Sequence, residues 1–370
     1  MAQNALSSIY GQKLNPFYIY TPRWISSSAG IRVLHYLCHS LNILGYPAYI
    51  ILTENSVGAV PRVNEFLRTP ILTQEIAQSH FRSKLTPITV FSETVPGNPL
   101  NAPFVVRYLL NFAGALGGQT SFPIEENLLA YTENIKLDYH SVNSSQQVDV
   151  LYLPAVDPRE ISSSVKIHSD YYVAYLGKYD SFVGSTPVIP RDNVKISKRS
   201  GPESHSRQEL LDLIAGAKAF ITFENTSLIT ESILLGTPAI AIKNPFLSEI
   251  IASKELGNCG MALDFSNEAE TIARETVSAG QKAYLETIER FTSNLSKWAK
   301  SMQDAVADVT YKECISIPRF TFVVSSHRVR LATQIIKSLG WRRFLVILRE
   351  FILRRIRISF SSFKKTRGNK

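Results

Sequence analysis

The chain has 370 residues, of which 45% are hydrophobic and 19% charged, a composition typical of a folded globular protein with room for two domains. Its three cysteines are too few and too far apart for a disulfide framework or a cysteine metal cluster, and they fit a reducing compartment. The net charge of +9 is concentrated at one end: residues 319–370 hold 14 Lys or Arg and one Glu, so this segment carries +13 and the rest −4.

The start of the chain has no basic stretch followed by an apolar run, and no run of about 18 apolar residues occurs anywhere. We therefore expect no secretory signal and no ordinary membrane span. These features favour a cytoplasmic location.

The first half alternates apolar stretches of strand length with stretches of helical periodicity. A short strand over Phe17–Thr21 leads through a Ser-rich turn into a helix from about Ile31 to Leu44. Later strands are predicted at AYIILT, ITVFS, NLLAYT and VDVLYLP, and a helix is predicted near Pro103 to Asn111. Strands alternating with helices predict βαβ units and a parallel sheet.

The same pattern restarts after Asp157-Pro158. Strands are predicted at YYVAYLG, VKIS, KAFITF and TPAIAI, with helices from His205 to Ala215, from ENTS to Leu235-Gly236, and over much of 267–309. We predict an α/β protein of two Rossmann-like doubly wound domains, residues 1–157 and 158–310, followed by a basic tail, residues 311–370. Ligands of such sheets bind at the carboxyl ends of the strands, so a cleft between the domains is the expected active site.

The stretch from Lys218 to Asn244 carries the most chemical information. A strand ends near Phe223, Glu224-Asn225-Thr226-Ser227 form a turn, and a helix follows. Thr226 or Ser227 can cap this helix, and its free N–H groups can bind a diphosphate. Glu231 lies one turn further on, where a carboxylate can accept ribose hydroxyls. The alternative is a plain β-turn-α unit with two surface acids.

This stretch resembles the donor-binding half of B-type-fold glycosyltransferases of the family 4 kind, which carry two Glu residues, the second within E-A-x-x-x-G-x-P-V-[IV]. The matching residues here run from Glu231 through Gly236-Thr237-Pro238 to Ile240. The resemblance implies that Glu231 binds the ribose of a nucleotide and that Glu224 lies near the donor sugar. That family usually places its two Glu residues eight apart, whereas here they are seven apart.

Two segments of the first half extend the resemblance. GIRVLHYLCHSLNILG and ETVPGNPLNAPFVVRYLLN are similar to segments of bacterial glycosyltransferases of polysaccharide biosynthesis clusters, where they belong to the acceptor domain. The combined matches extend from about Phe17 to Ala241.

Other candidate site residues follow predicted strands. Gly30 opens the first helix, where N–H groups can approach a phosphate or an acceptor, and a turn capped by Ser28 is the alternative. Glu93, after ITVFS, is a candidate base for an acceptor hydroxyl, or a loop acid that anchors the following turn. Lys178 and Arg199 follow the first two strands of the second half, where cations can neutralise a leaving diphosphate, or are solvated surface charges.

Two histidines of the first predicted helix and one arginine are also considered. His35 is a second candidate base. His35 and His39 are one helical turn apart and could ligate a metal, yet no third ligand is evident. We expect satisfied helix histidines and no metal requirement. Arg107 is expected to form a structural ion pair.

The tail combines an apolar face with a basic one. Trp341, Phe344, Leu345, Leu348, Ile352 and Ile356 share one side of a predicted helix and five arginines line the other. A basic amphipathic helix of this kind lies in an anionic bilayer interface, so residues Trp341–Lys370 predict peripheral binding at the inner face of the plasma membrane. A packed terminal helix is the alternative, and no motif supports nucleic-acid binding.

Together these features predict a hexosyl- or deoxyhexosyltransferase that uses a nucleotide-sugar donor and a glycan or lipid-linked acceptor in surface polysaccharide synthesis. Two alternatives remain open: a nucleotide-sugar epimerase on the same fold, and a non-catalytic membrane-surface module of a polysaccharide assembly complex.

Overall fold

The computed structural model describes residues 13–53, 63–161, 170–179, 187–189, 191–199, 201–245 and 247–309. The predicted amphipathic tail, including Trp341–Lys370, lies outside these residues. Both sheets belong to one compact unit.

The first sheet contains six parallel strands. Its elements are β1 (Phe17–Thr21), α1 (Ala29–Ile43), β2 (Ala48–Leu52), α2 (Gln74–Arg82), β3 (Ile88–Ser92), β4 (Phe104–Leu109), β5 (Asn127–Ala130), α3 (Glu133–Val142) and β6 (Val148–Val150). The strand order is β2-β1-β3-β4-β5-β6. Every residue of β1, β3 and β4 is buried, as expected for parallel strands covered on both faces.

The second sheet repeats this topology with five parallel strands. Its elements are β7 (Tyr172–Tyr175), β8 (Val194–Ser197), α4 (Arg207–Ala215), β9 (Phe220–Thr222), α5 (Leu228–Leu235), β10 (Ala239–Ala241), β11 (Met261–Leu263), α6 (Asn267–Glu275) and α7 (Val277–Ala307). The order is β11-β10-β9-β7-β8, so the first strand again has the second and third as its neighbours. The prediction of two Rossmann-like doubly wound domains is confirmed.

This strand order determines where each sheet can bind a ligand. The second and third strands lie on opposite sides of the first, so the connections after the first and third strands run to opposite sides of the sheet. A crevice therefore opens outside the carboxyl ends of the first and third strands. In the first sheet this switch point lies between β1 and β3, and in the second between β7 and β9.

One predicted element is wrong. The segment near Pro103 to Asn111 is not a helix, because Phe104–Leu109 forms the buried strand β4. A short apolar run with one charge fits a helix or a buried strand equally by periodicity. Pairing with β3 and β5 on either side stabilises the strand, and its Val105 and Val106 favour it.

Arg107 shows how β4 accommodates a charge in the core. The side chain is fully buried and binds Glu126 through two hydrogen bonds of 2.8 Å. It also donates to the carbonyl oxygens of Val95 and Gly97. The predicted structural ion pair is confirmed, and it anchors the turn that follows β3.

The long helix α7 connects the cores of the two domains. Near its start, the Tyr284 hydroxyl donates to the carbonyl oxygen of Val156 at 2.6 Å within the second core. Further along, Leu295, Trp298 and Met302 pack into the core of the first sheet. None of the helices in the described part of the chain is long and apolar enough to cross a bilayer.

Candidate functional site

Four of the predicted site residues follow strands of the two sheets and form one electrostatic cluster, three of them at the switch points. Glu93 directly follows β3 of the first sheet. Lys178 and Glu224 follow β7 and β9, the two strands at the switch point of the second sheet, and Arg199 follows β8. Burial lowers the pKa of the Lys178 ammonium, and the charges of Glu224, Arg199 and Glu93 also act on that pKa. The cluster therefore joins the two sheets across the domain boundary.

Glu93 is a buried carboxyl with an unusual proton affinity. Its side chain is 3% exposed, and Oε2 accepts a hydrogen bond from the Leu110 N–H at 3.0 Å. Burial raises the pKa of Glu93 from 4.5 to about 7, against the opposing effects of that hydrogen bond and of the Arg107 and Lys178 charges. A carboxyl with such a pKa exchanges a proton near neutral pH, as a general base must.

Glu224 and Lys178 are connected through the backbone of the turn after β7. The Lys178 N–H donates to Glu224 Oε2 at 2.9 Å. Burial raises the pKa of the Glu224 carboxyl, and it lowers the pKa of the Lys178 ammonium in spite of the carboxylates nearby. Gly177 makes this approach possible, because a Cβ at this position would lie 2.3 Å from the Glu224 carboxylate.

Two further cations of the second domain lie on the loop after β8. Arg199 is exposed, and its charge partly opposes the burial that raises the pKa of Glu224 and adds to the burial that lowers the pKa of Lys178. The neighbouring Lys198 forms an ion pair with Glu203 at 3.0 Å. Arg199 is thus available to an anionic ligand at the edge of the cluster.

The turn before α5 differs from its prediction in detail. Ser227 occupies the N-cap position with helical backbone angles, φ −62° and ψ −17°, and makes no side-chain cap bond. Cap residues usually adopt extended angles that return the hydroxyl to the first turn, which explains the difference. Thr226 Oγ1 instead accepts from the Leu228 N–H at 3.3 Å.

Asn225 shapes this turn through its amide. Its Nδ2 donates to the carbonyl oxygen of Glu249, and its Oδ1 accepts from the Ile251 N–H. These bonds attach the turn after β9 to the segment that follows β10. The Asn225 amide therefore holds this turn in place.

Glu231 lies in α5 at the centre of a second cluster. The carboxylate is 1% exposed, and its Oε1 accepts from Arg32 Nη2 and from Ser227 Oγ, each at 3.2 Å. Arg207 Nη2 lies 3.4 Å from the same oxygen. Arg32 belongs to α1 of the first domain, so this ion pair also crosses the domain boundary.

The remaining predicted residues lie beside these clusters. Gly30 is the second residue of α1, and a Cβ there would make an ordinary contact of 3.5 Å with Leu110, whose N–H binds Glu93. His35 Nε2 binds the Pro22 carbonyl oxygen and His39 Nδ1 accepts from the Arg68 N–H. Among the described residues, no group of three or more His, Cys, Asp or Glu is arranged to hold a metal ion.

Sequence reasoning did not identify Arg32 and Arg207. Neither follows a strand, and both lie in the first turn of a helix, where a charged residue is unremarkable in a single sequence. The packing of α1 against the second domain, and of α4 against α5 within it, brings both guanidinium groups to Glu231.

Comparison with known proteins gives likenesses of fold. No protein-family model and no curated protein sequence matches the chain. Among solved structures, it is similar to WaaG, a glycosyltransferase involved in lipopolysaccharide biosynthesis, at 11% identity and a TM-score of 0.40 over 78% of this chain and 99% of WaaG.

Two further structures show the same degree of likeness. A glycosyltransferase from Rickettsia africae is 11% identical, with a TM-score of 0.42 over 80% of this chain and 100% of its own. Anabaena HepE, solved in complex with UDP, is 10% identical, with a TM-score of 0.40 over 79% and 100%. Likenesses at this level do not determine a substrate.

Proposed function

We propose that the chain is a glycosyltransferase that moves a sugar from a nucleotide-sugar donor to an acceptor hydroxyl. The observation that carries this proposal is the cluster of Glu93, Lys178 and Glu224. It combines a buried carboxyl whose pKa is raised to about 7 with a cation and a second carboxylate, each of which follows a strand at the switch point of its Rossmann-like sheet.

Each group has a part in such a transfer. Glu93 removes the proton of the acceptor hydroxyl while the oxygen of that hydroxyl bonds to the anomeric carbon of the donor sugar. The bond between that carbon and the diphosphate breaks, and the departing negative charge is neutralised by Lys178 and Arg199. Glu224 lies beside Lys178, where its carboxylate can bind hydroxyls of the transferred sugar.

The nucleotide is assigned to the second domain. In this proposal the first turn of α5, beginning after Thr226 and Ser227, binds the diphosphate, and Glu231 binds the ribose. The chemistry places the charge of the leaving group on protein cations, so the reaction requires no metal ion.

The biological setting forms a finer part of the proposal. The sequence segments of the first half and the basic tail favour a hexosyl or deoxyhexosyl transfer to a glycan or lipid-linked acceptor at the inner membrane face. The +13 charge of residues 319–370 would hold the enzyme at an anionic surface where such acceptors reside.

A nucleotide-sugar panel tests the reaction. Ligands that bind the native state raise its apparent stability, so a thermal-shift screen selects the donor, and chromatography then measures sugar transfer and diphosphate release. We expect Lys178→Ala to lower kcat by about 10²- to 10³-fold, because one group that stabilises developing charge is lost. Glu231→Gln should weaken nucleotide binding by about tenfold or more.

Glu286→Ala is the matched control, since this carboxylate lies on the exposed side of α7 and pairs only weakly with Arg290. Its kinetics should equal those of the unmodified protein. Interconversion of free nucleotide sugars without transfer would identify an epimerase instead. Binding to anionic vesicles with no turnover of any donor would favour a non-catalytic module.

A further inference from the structure

Two polar atoms lie buried and unpaired on groups that already touch. Glu231 Oε2 and Arg32 Nε are each without a hydrogen-bond partner among the described residues. The guanidinium and the carboxylate are nevertheless in contact through other atoms: Arg32 Nη2 donates to Glu231 Oε1 at 3.2 Å. Both residues are almost completely buried: Arg32 is 4% exposed and Glu231 is 1% exposed. A buried polar group without a partner is unfavourable, so this contact lacks one acceptor and one donor.

The missing partner must have a particular chemistry. Glu231 Oε2 requires a hydrogen-bond donor and Arg32 Nε–H requires an acceptor. A phosphate group supplies acceptors but would be repelled by the carboxylate, and a metal ion would satisfy the carboxylate but not the guanidinium. A hydroxyl supplies both a donor and an acceptor from one oxygen atom.

We infer that Arg32 is a donor-binding residue contributed by the first domain, and that a ribose hydroxyl of the nucleotide binds between its guanidinium and the Glu231 carboxylate. In this arrangement the hydroxyl donates to Oε2 and accepts from Nε. The inference rests on the proposed function, which assigns the ribose to Glu231, and extends it to a residue on the opposite side of the domain boundary.

The surroundings of the pair support a ligand-binding role. Arg32 Nη2 also donates to Ser227 Oγ at 3.0 Å, and Ser227 is the residue at the start of α5. Arg207 approaches the same carboxylate from the second domain with a side chain that is partly open to solvent. Glu231 is thus held between one arginine from each domain, and its Oε2 has no partner among the described residues.

The inference has a structural consequence for binding. A ribose held by both Arg32 and Glu231 is bonded to α1 of the first domain and to α5 of the second. Nucleotide binding therefore depends on the two domains being in contact, and removing the contribution of the first domain should weaken binding even though the rest of the donor site is intact.

Calorimetry with UDP, GDP and ADP, and with the 2′-deoxy and 3′-deoxy forms of the diphosphate that binds most tightly, tests this inference. The unmodified protein should bind one deoxy form about tenfold more weakly than the ribonucleotide, because a hydrogen bond to charged groups is lost. Arg32→Ala should weaken binding of the ribonucleotide by about tenfold and of that deoxy form by much less. The ratio between the two affinities should consequently approach one.

Arg32→Lys keeps the positive charge and removes Nε, so it guards against loss of the fold. It should retain the melting temperature to within a few degrees and still lose the ribose preference. Asn134→Ala is the matched control: it removes hydrogen bonds from α3 to Ile250 and Ser253 across the same boundary, distant in sequence from the ribose site, and should keep the ribose preference.

The possible outcomes separate the two proposals. If the unmodified protein binds diphosphates but both Arg32 variants keep its ribose preference, Arg32 is a structural ion-pair residue or contacts a buried water, and the inference is overturned while the proposed function stands. If the unmodified protein binds none of the diphosphates and transfers no sugar, the proposed function fails and the assignment of Arg32 fails with it.

Discussion

At the scale of single residues, Glu93 has the property that most directly constrains the proposed reaction. Its pKa of about 7 results from burial at the carboxyl end of β3. In its proposed role as a base Glu93 must be ionised, so kcat/KM should rise with pH up to about 7 and then level off. Glu93→Gln should lower kcat by about 10²- to 10⁴-fold and remove this ionisation from the pH–rate profile. An unchanged profile in the variant would exclude Glu93 as the base.

The same pKa has a consequence for stability, and its sign can be derived. The folded state holds the Glu93 proton up to about pH 7, whereas the unfolded state releases it near 4.5. Between these values the folded state binds more protons, so the free energy of unfolding falls as pH rises through this window, by about 3 kcal/mol in total. Urea denaturation at pH 5 and pH 8 should show this contribution in the native protein and lose it in Glu93→Gln.

The surroundings of Gly177 predict the effect of a substitution at this position. Its φ is +55°, and an added Cβ would overlap the Glu224 carboxylate at 2.3 Å. Gly177→Ala should therefore displace that carboxylate and destabilise the fold by about 1–3 kcal/mol from strain alone. Activity should fall further than the loss of folded protein explains.

Gly201→Ala is the matched control for that variant. Gly201 also has a positive φ, +99°, but a Cβ there meets no atom within 4 Å. It should cost stability of the same order and leave the activity of the folded protein unchanged. Equal activity per folded molecule in both variants would contradict a role for Glu224 in the site.

At the scale of elements, the difference between β4 and α5 shows what a sequence can reveal. The end of α5 was predictable, because Gly236 follows Leu235 and adopts the left-handed conformation, with φ +88°. For β4, by contrast, Val105 to Leu109 read equally well as a helix. Its identity as a strand depends on pairing with β3 and β5, which are 12 or more residues away in the chain.

The residues of the candidate site also fall into those that the sequence predicts and those that it does not. Glu93, Lys178 and Glu224 could be predicted because each lies within three residues of the end of a strand, and parallel strands of a doubly wound sheet end at one edge. Glu231 came from a resemblance of motif. Arg32 could not be predicted, because its contact with Glu231 joins residues 199 positions apart and depends on how two separate domains pack.

At the scale of the whole molecule, α7 makes the stability of one domain depend on the chain of the other. The helix leaves the second core after Tyr284 and inserts Leu295, Trp298 and Met302 into the first. The Trp298 ring lies 5.7 Å from that of Phe17 in β1, measured between centroids. The first domain is thus completed by the last part of α7, which follows the strands of the second sheet in sequence and also connects the two sheets that form the candidate site.

Trp298→Ala tests this coupling. Loss of a large buried side chain should lower the free energy of unfolding by about 3–5 kcal/mol. Because the cavity lies in the first core, hydrogen exchange should accelerate most in β1 and β3, far from residue 298 in sequence. Leu285→Ala on the same helix is the control, since its side chain is 49% exposed and its loss should change stability by less than about 1 kcal/mol. Accelerated exchange confined to α7 and the second sheet would show that the first domain is stable without this helix.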